Sequence, residues 1–243
     1  MAGLLTRFLH DPVGLITRGF QKLVVGPLRY RRGQGYDAER YWGDRFRRYG
    51  RSLKGPGHEG FSEEENARVY AQARTVVLDA CRRAGVRFPE ARVLEIGVGT
   101  GFYTRMCRDE GTRSYTGVDV TDTLFGELRR EFTDYEFVRR DAAAETIEGE
   151  YDLVLMIDVV EHIVTEEGLA AAMGNVRRVL APGGVFLLAL PAPGTGAERL
   201  FYLRAWRLEE VLTHLEGLQT EPPEPFRYGM LLTARQPAPT GSA

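Results

Sequence analysis

The chain changes character at about Pro89. Beyond this residue, short strand-like apolar runs alternate with segments whose apolar residues recur at helical spacing. Strands that alternate with helices predict βαβ units with right-handed crossovers and a parallel sheet. The predicted strands and helices are, in chain order, ARVLEIGV, FYTRMCRDEG, SYTGVDV, TLFGELRREF, YEFVRRDA, YDLVLMID, EEGLAAAMGNVRRVL and VFLLALP, with a turn at APGG before the last strand.

Before Pro89 the apolar residues recur at helical spacing and nothing indicates a strand. Residues 4–24 are expected to form one or two amphipathic helical pieces. Further on, Ser62 and Glu65 form the signature of a capping box, which predicts the start of a helix. Gly85 is suited to end the same helix.

These patterns divide the chain into three parts. We predict an N-terminal helical cap over residues 1–85, a doubly wound α/β domain over residues 86–235, and a disordered tail over residues 236–243, which are too small and polar to pack. The segments 36–70 and 191–206 are loop-like and rich in aromatic residues, so we expect them to cover a substrate.

The composition is that of an ordinary globular protein: 43% of the 243 residues are hydrophobic and 27% are charged. The formal net charge of −2 gives no overall attraction to nucleic acids or anionic membranes. Two cysteines favour a reducing cytoplasm and form neither a disulfide framework nor a metal cluster. No apolar run approaches the roughly 18–20 residues that span a bilayer, and Arg7, His10 and Pro12 interrupt any signal-peptide region. We therefore expect a cytoplasmic protein without a metal site.

The first predicted strand ends in three alternate glycines, Gly97, Gly99 and Gly101. Glycine lacks a Cβ atom, so this backbone can approach a ligand closely and turn sharply into a helix. The dinucleotide fingerprint would need a glycine at Phe102, and no Gly-Lys-Ser/Thr of a phosphate-binding loop follows. The alternative interpretation is a tight turn that holds no ligand.

The next three predicted strands each end in an acid. Asp119 follows the glycine loop at the distance where a carboxylate accepts both hydroxyls of a ribose. Asp141 ends EFVRRD, where a carboxylate can accept a hydrogen from a purine amino group, and Asp158 closes LVLMID. Each acid also has a simpler interpretation, as a helix N-cap or a solvated loop residue. Together, however, the four strand ends fit one ligand.

In this order and at these intervals, VLEIGVGTG, GVDV, RRDA, YDLVLMIDVVEHI and LAPGGVFLLALP resemble the motifs of the class I S-adenosylmethionine-dependent methyltransferases. The resemblance is close over residues 90–192. It implies a seven-stranded, mostly parallel sheet whose last strand, in FRYGMLLTAR, runs antiparallel. It also implies S-adenosylmethionine as the cofactor and S-adenosylhomocysteine as its product.

The resemblance further implies which residues contact the cofactor. Each contact is assigned to the position in this chain that matches a motif of the family. Glu95 and the glycines Gly97, Gly99 and Gly101 match the positions that contact the methionine part, and Asp119 with Val120 matches those that contact the ribose. Asp141 with Ala142 matches the positions at the adenine, and Asp158 with Val159 matches those beside the methyl group.

The methyl acceptor is predicted by exclusion to be a small molecule. The chain lacks the Asn/Asp-Pro-Pro-aromatic motif of nucleic-acid amine methylation, the Pro-Cys nucleophile of cytosine C5 methylation and the paired-glutamate loop of protein arginine methylation. We expect a hydroxyl of a natural product, sugar or phenol, and no nucleic-acid partner. Residues 36–70 also resemble bacterial methyltransferases of natural-product and cell-surface glycan pathways. His162 is the candidate general base, because its free pKa lies near neutrality; the alternative is that it only shapes the pocket.

Two interpretations that assign the protein to other functional classes stay open. Residues 1–35 contain six Arg or Lys residues against one acid, interleaved with apolar residues, which is the composition of a helix lying on a membrane. The enzyme would then be membrane-docked and act on a quinone or lipid-like acceptor, although packing of this segment on the domain or on a second subunit is favoured. The other interpretation is a non-catalytic S-adenosylmethionine-binding module, against which the intact glycine loop and acids argue.

Overall fold

The computed structural model describes residues 19, 21–192 and 200–238. Near its N-terminal end lies a small antiparallel hairpin of strands β1 (Arg31–Arg32) and β2 (Gly35–Tyr36). The sequence pattern does not predict this hairpin, because two-residue strands leave no periodic signal. Gly33 forms its turn with a φ of +55°, in the left-handed region that glycine tolerates.

The centre of the molecule is one eight-stranded sheet. Its strands are β3 (Arg92–Ile96), β4 (Ser114–Asp119), β5 (Glu136–Arg139), β6 (Tyr151–Met156), β7 (Leu180–Pro191), β8 (Gln219–Thr220), β9 (Glu224–Phe226) and β10 (Gly229–Arg235). They lie in the order β5-β4-β3-β6-β7-β10-β8, with β9 also paired to β10. Strands β3 to β7 are mutually parallel, and β10 runs antiparallel to β7. The predicted mostly parallel sheet with an antiparallel last strand is confirmed.

Seven α-helices occur in the described part of the chain. They are α1 (Gly26–Tyr30), α2 (Ala38–Tyr49), α3 (Glu63–Arg83), α4 (Phe102–Asp109), α5 (Phe125–Glu131), α6 (Glu166–Val179) and α7 (Leu208–His214). A π-helical turn at Gln21–Val25 precedes α1, whereas residues 4–18 of the predicted amphipathic region lie outside the described residues. None of the described helices is long and apolar enough to cross a membrane.

The predicted end signals of α3 are both present. The Ser62 hydroxyl accepts a hydrogen bond from the N–H of Glu65 at 3.1 Å, and the Glu65 carboxylate accepts one from the N–H of Ser62 at 2.7 Å. Gly85 lies just beyond the helix with a φ of +73°. Val77 and Cys81 of α3 belong to the same apolar cluster as the neighbouring face of the sheet. The core is therefore continuous across residue 85, where the sequence predicts the boundary between cap and domain.

Side chains of the central strands alternate between two apolar layers. On β3, Val93 joins the layer under α3 and α4, while Leu94 joins the layer under α6 and α7. Both side chains are fully buried, and burying a side chain of this size contributes roughly 1.5–3 kcal/mol. Helices on both faces of the sheet confirm the doubly wound α/β fold.

Strand β7 begins earlier than predicted. The stretch APGG, predicted as a turn, lies inside β7, where the pairing with β6 shifts register between Leu180 and Val185. The N–H of Gly183 donates to the carbonyl of Gln236 at 3.0 Å, and the N–H of Gln236 donates to Gly184 at 2.9 Å. Gln236, the first residue of the predicted tail, is thus tied to the sheet, whereas residues 239–243 lie outside the described residues.

The strand order reverses at β3, which pairs with β4 on one side and β6 on the other. Ligands of doubly wound sheets bind outside the carboxyl ends of the strands at such a reversal. The chain leaves these strands at Gly97, Asp119 and Asp158, so the fold brings the predicted motifs to one edge of the sheet.

Candidate active site

A cavity of about 550 Å³ opens outside the carboxyl ends of β3, β4 and β6. Its wall includes every predicted site residue except Glu95 and Gly101. These residues are Gly97, Gly99, Asp119, Val120, Asp141, Ala142, Asp158, Val159 and His162. The opposite wall comes from the N-terminal part of the chain and includes Trp42, Phe46 and Tyr70. We call this space the first cavity.

The three loop glycines have different local roles, although all have positive φ: +83° at Gly97, +51° at Gly99 and +77° at Gly101. A Cβ atom on Gly97 would lie 2.2 Å from Cγ2 of Val159, and one on Gly101 would lie 2.5 Å from Cδ2 of Leu128. These two glycines permit close packing of the protein itself. A Cβ on Gly99 would meet nothing closer than the Phe46 ring at 3.7 Å, so Gly99 is the residue that leaves room on the cavity side.

Asp119 fixes the glycine loop from the end of β4. Its carboxylate accepts the N–H of Gly99 at 2.8 Å and the N–H of Thr121 at 3.1 Å. Burial raises the pKa of Asp119 to about 6, and the backbone N–H groups of Gly99 and Thr121 oppose that rise. The carboxylate therefore stays mainly ionised at neutral pH. Each oxygen keeps lone-pair capacity for a ligand hydroxyl.

Replacement of Asp119 by alanine should weaken binding of S-adenosylhomocysteine by roughly 10–150-fold, because hydrogen bonds to a charged group contribute about 1.5–3 kcal/mol. Part of the loss should come from the freed N–H of Gly99. Isothermal titration calorimetry of both proteins at pH 7.5 measures it. Asp134→Ala, a change at an exposed acid in the turn before β5, is the matched control and should bind normally.

Asp141 and Ala142 lie in a tight turn after β5. The Asp141 carboxylate accepts the N–H of Ala143 at 2.9 Å, and the N–H of Asp141 donates to the Glu145 carboxylate at 2.7 Å. The side chain of Asn175, buried on α6, donates to the Ala142 carbonyl at 2.9 Å. Sequence reasoning misses Asn175, although an asparagine on an otherwise apolar helix face is a signal for such a role.

Glu95 lies away from the first cavity. Its carboxylate accepts hydrogen bonds from the hydroxyls of Thr104, at 3.0 Å, and Tyr115, and all three side chains are buried. Burial raises the pKa of Glu95 to about 8, while these two hydrogen bonds oppose the rise. This placement favours a structural role for Glu95, which joins β3 to α4 and β4, over direct contact with a cofactor.

Glu95→Gln should therefore leave the affinity for S-adenosylhomocysteine nearly unchanged at pH 7, because the carboxyl group is already mostly neutral there. Glu95→Ala should instead lower the free energy of unfolding by roughly 2–5 kcal/mol, since it leaves a cavity and removes the shared acceptor of two buried hydroxyls, which keep only the hydrogen bond to each other. Urea denaturation and calorimetric titration of both variants check this. Lost affinity in a stably folded Glu95→Gln would indicate direct cofactor contact.

Asp158 and Arg227 are the two residues other than glycine with positive φ in the described chain, at +59° and +48°. Arg227 pairs with the Asp158 carboxylate and donates to the Tyr103 hydroxyl at 3.1 Å. Strained backbone of this kind is often retained at functional sites. Sequence reasoning misses Arg227, because FRYGMLLTAR is predicted as one strand whereas Arg227 occupies the turn between β9 and β10.

His162 follows β6 in a short 3₁₀ turn over Val160–His162. Its Nδ1 lies 3.1 Å from the carbonyl oxygen of Tyr202, which can only accept, so Nδ1 carries the proton and Nε2 keeps its lone pair. The Trp42 ring meets the imidazole edge-on at 4.7 Å. Burial lowers the pKa of His162 to about 4, so the imidazole is neutral at physiological pH.

The N-terminal part of the chain is tied to the glycine loop. Nε of Arg51 donates to the carbonyl of Thr100 at 2.9 Å, and Nη1 pairs with Glu131 at 2.5 Å. The guanidinium of Arg45 pairs with Glu59 and donates to the carbonyls of Lys54 and Gly57 at 3.3 Å each. Segment 36–70 thus packs against the glycine loop, and its role as a substrate cover stays a prediction.

A second cavity, also of about 550 Å³, adjoins the first. The two cavities share a wall that includes Trp42, Tyr70, Asp158 and His162. Within the described residues, no group of three or more His, Cys, Asp and Glu side chains is arranged to hold a metal ion. Asp158 and His162 thus line both cavities, and we call their position the junction.

Residues 93–184 match the protein family described as "Methyltransferase domain". The matched stretch runs from β3 into β7 and includes the glycine loop, Asp119, Asp141 and Asp158. Over this stretch the chain is similar to that family, and its sheet has the Rossmann-like fold of the class I methyltransferases.

Solved structures of methyltransferases share this fold. Magnesium protoporphyrin IX methyltransferase from Synechocystis, with S-adenosylmethionine bound, aligns with a TM-score of 0.65 at 18% identity, over 84% of this chain and 100% of that one. An S-adenosylmethionine-dependent methyltransferase from Clostridium acetobutylicum aligns with a TM-score of 0.60 at 15% identity, over 70% of this chain and 92% of that one. At these identities the likeness concerns the fold. The ligand of the first structure agrees with the predicted cofactor.

Two fungal multidomain proteins contain a similar stretch. A highly reducing polyketide synthase of Calcarisporium arbuscula is 31% identical over 142 residues, which are 54% of this chain and 5% of that protein. A polyketide synthase-nonribosomal peptide synthetase of Pyricularia grisea is 34% identical over 116 residues, 43% of this chain and 3% of that protein. This chain thus spans only a small fraction of the length of these relatives.

Proposed function

We propose that the protein transfers a methyl group from S-adenosylmethionine to a hydroxyl of a small molecule. The observation that carries the proposal is the junction of two cavities at Asp158 and His162, one of them built on the glycine loop and Asp119. A cofactor in the first cavity and an acceptor in the second would meet at this junction.

The residues of the first cavity fit S-adenosylmethionine. Gly99 keeps open the space that a Cβ would occupy, and the buried Asp119 carboxylate presents acceptors for the ribose hydroxyls. Asp141 and Ala142 would bind the adenine, and Val159 with Asp158 would lie on the side of the methyl group. When bound, the cofactor supplies an electrophilic methyl carbon. An absence of phosphate-binding signals in the loop disfavours a dinucleotide.

The chain's contribution to the reaction is mainly alignment. Holding a methyl carbon in line with an oxygen lone pair supplies much of the rate of such a displacement. His162 would accept the hydrogen of the acceptor hydroxyl at Nε2, because Nδ1 is committed to Tyr202. Trp42 and Tyr70, in the shared wall, would exclude water from the junction.

The acceptor class follows from the absence of nucleic-acid and protein methylation motifs and from the relatives. Both fungal relatives are named as polyketide synthases, which supports a natural-product, phenol-like acceptor over a sugar. Incubation of metabolite extracts with S-adenosylmethionine labelled in the methyl group, followed by mass spectrometry, tests this. We expect label in a small oxygenated product. Cofactor binding without transfer to any acceptor would favour the non-catalytic module.

A membrane-docked enzyme acting on a lipid-like acceptor is the second candidate, favoured by one observation. Leu23 and Leu28 are 60% and 80% exposed, close in sequence to the basic residues Arg29, Arg31 and Arg32. This combination is typical of a segment that lies on an anionic membrane.

We nevertheless expect little binding of the wild type to vesicles of anionic phospholipid. Co-sedimentation at low and high salt measures it, because membrane attraction of exposed charges is screened within about 10 Å at 0.1 M salt. Leu28→Ser, which removes one exposed apolar side chain, is the matched variant and should behave like the wild type. Strong, salt-sensitive sedimentation that Leu28→Ser reduces would favour the lipid-like acceptor.

A further inference from the structure

Three buried polar atoms beside the second cavity form no well-aligned hydrogen bond with any described residue. They are the hydroxyl of Tyr70, Oε2 of Glu161 and Nε of Arg227. All three residues line the second cavity. One further atom of this kind occurs in the described chain, Oγ1 of Thr112, and it lines neither of the two cavities.

Leaving a buried donor or acceptor unpaired costs free energy, so folded proteins rarely retain such atoms without a functional reason. Tyr70 comes from α3, Glu161 from the turn after β6, and Arg227 from the turn between β9 and β10. Three such atoms from distant parts of the chain converge on one wall. Their convergence indicates that a polar ligand forms the missing hydrogen bonds of these three atoms.

Other contacts hold these side chains in place. The Arg227 guanidinium pairs with Asp158, and its centre lies 4.2 Å from the centroid of the Tyr70 ring. The main-chain carbonyl of Glu161 accepts the N–H of Arg204 at 2.7 Å. The side chains of Tyr70 and Arg227 and the backbone of Glu161 therefore keep a fixed arrangement, which preorganises this wall for binding.

The chemistry of the three atoms differs. Tyr70 and Arg227 present hydrogen-bond donors, which suit an oxygen with free lone pairs. Burial, and then the charge of Asp158, raise the pKa of Glu161 to about 8, while Arg227 opposes the rise. The tyrosines Tyr36 and Tyr70 also face this carboxyl group. A hydroxyl suits Glu161 in either protonation state, because a hydroxyl both donates and accepts.

We propose that Tyr70, Glu161 and Arg227 recognise two neighbouring oxygen atoms of the methyl acceptor, a hydroxyl at Glu161 and a second oxygen at Tyr70 and Arg227. This inference rests on the proposed function, since it assigns the second cavity to the acceptor. Aromatic rings form part of the remaining wall, which suits an aromatic compound with vicinal oxygens. These rings belong to Trp42, Phe61, Tyr202, Phe226 and Tyr228.

The first test measures the stability of the protein without any ligand. Tyr70→Phe and Glu161→Met remove the unpaired atoms but keep side chains of similar size. Both variants should melt close to the temperature of the wild type, because the Tyr70 hydroxyl and Oε2 of Glu161 form no well-aligned hydrogen bond in the folded chain. Thr112→Val, which removes the unpaired hydroxyl outside both cavities, should behave in the same way. Lower melting temperatures for Tyr70→Phe and Glu161→Met would show that these atoms serve the fold, which overturns the proposal.

The second test measures ligand binding by NMR titration in the presence of saturating S-adenosylhomocysteine. The probes are catechol, with two vicinal hydroxyls, and anisole, with none. The wild type should bind catechol more tightly than anisole. Tyr70→Phe and Glu161→Met should each weaken catechol binding by roughly 5–10-fold, the effect of one hydrogen bond, and leave anisole binding unchanged. Thr112→Val should bind both probes as the wild type does.

Equal binding of the two probes by the wild type would contradict the proposal, and so would unchanged catechol affinity in both cavity variants. A wild type that fails to bind S-adenosylhomocysteine in the same titrations would contradict the proposed function instead. The two failures are therefore distinguishable.

Discussion

Gly99→Val should weaken binding of S-adenosylhomocysteine by roughly 100-fold or more while the protein remains folded. Valine would have to adopt a φ of +51°, which costs about 1–2 kcal/mol for a residue with a Cβ atom, and its side chain would enter the space left open beside the Asp119 carboxylate. Calorimetric titration measures the affinity, and circular dichroism with thermal melting measures the fold. Gly99 itself belongs to neither apolar layer, so the melting temperature should fall only slightly.

A matched control exists in α5. A Cβ on Gly126 would meet nothing within 4 Å, and its backbone is helical, so Gly126→Val should bind as the wild type does. Gly97 and Gly101 are unsuitable positions for this test, because side chains there would collide with Val159 and Leu128 and disturb packing. Normal binding by Gly99→Val would mean that the loop does not hold the cofactor.

His162→Ala should lower turnover by roughly 10²-fold for an acceptor whose hydroxyl is an alcohol, the lower end of the usual contribution of general-base catalysis, because an imidazole with a pKa of about 4 is a weak base at neutral pH. Cofactor affinity should change little, because Nε2 serves the acceptor in the proposed arrangement. Steady-state kinetics on the acceptor identified from labelled extracts measures it. His162→Gln is the informative second variant, because it keeps a hydrogen-bond acceptor without the basicity of imidazole. Turnover near the wild-type value in His162→Ala would reduce His162 to a residue that shapes the pocket.

The pH profile gives this prediction a specific form. Because the pKa of His162 is lowered to about 4, wild-type turnover should fall only as the pH drops through about 4. The pH profile of turnover should show no inflection from His162 near pH 6.5, the ordinary pKa of histidine. The charged form is disfavoured in the folded protein, so the contribution of His162 to stability is present at neutral pH and is lost as the pH falls from 6.5 towards 4. An inflection near neutrality that His162→Ala removes would contradict this account.

Much of the fold and of the first cavity follows from local sequence signals. The alternation of strand-like and helical segments defines the doubly wound sheet, because each strand's apolar run is buried by helices on both faces. Gly99, Asp119 and Asp141 lie at the carboxyl ends of strands or within three residues of them, where chain position alone places them at the ligand-binding edge. These residues are therefore identifiable before any three-dimensional structure.

The second cavity does not follow from such signals. Tyr70, Glu161 and Arg227 are brought together by tertiary packing, and no spacing in the sequence relates them. The sequence places Arg227 inside a predicted strand. Its position in a turn depends on a positive φ, which is unexpected for arginine. The lowered pKa of His162 likewise depends on burial beside Trp42 and Tyr202, which only the folded chain provides.

Glu95 illustrates a different difficulty. Its motif is recognised, yet the alternation of β3 points its side chain into the layer that holds Val93, with Thr104 and Tyr115 as partners. Strand periodicity places Glu95 and Val93 on one face, because side chains two residues apart share a face. A motif therefore identifies a position more readily than it identifies which partner the side chain contacts.

The measurement that tests the central claim most directly is calorimetric titration of the wild type with S-adenosylhomocysteine and, separately, with NAD. We expect one molecule of S-adenosylhomocysteine to bind per chain, with affinity that depends on Gly99 and Asp119, and we expect no binding of NAD. Binding of NAD without binding of S-adenosylhomocysteine would contradict the account.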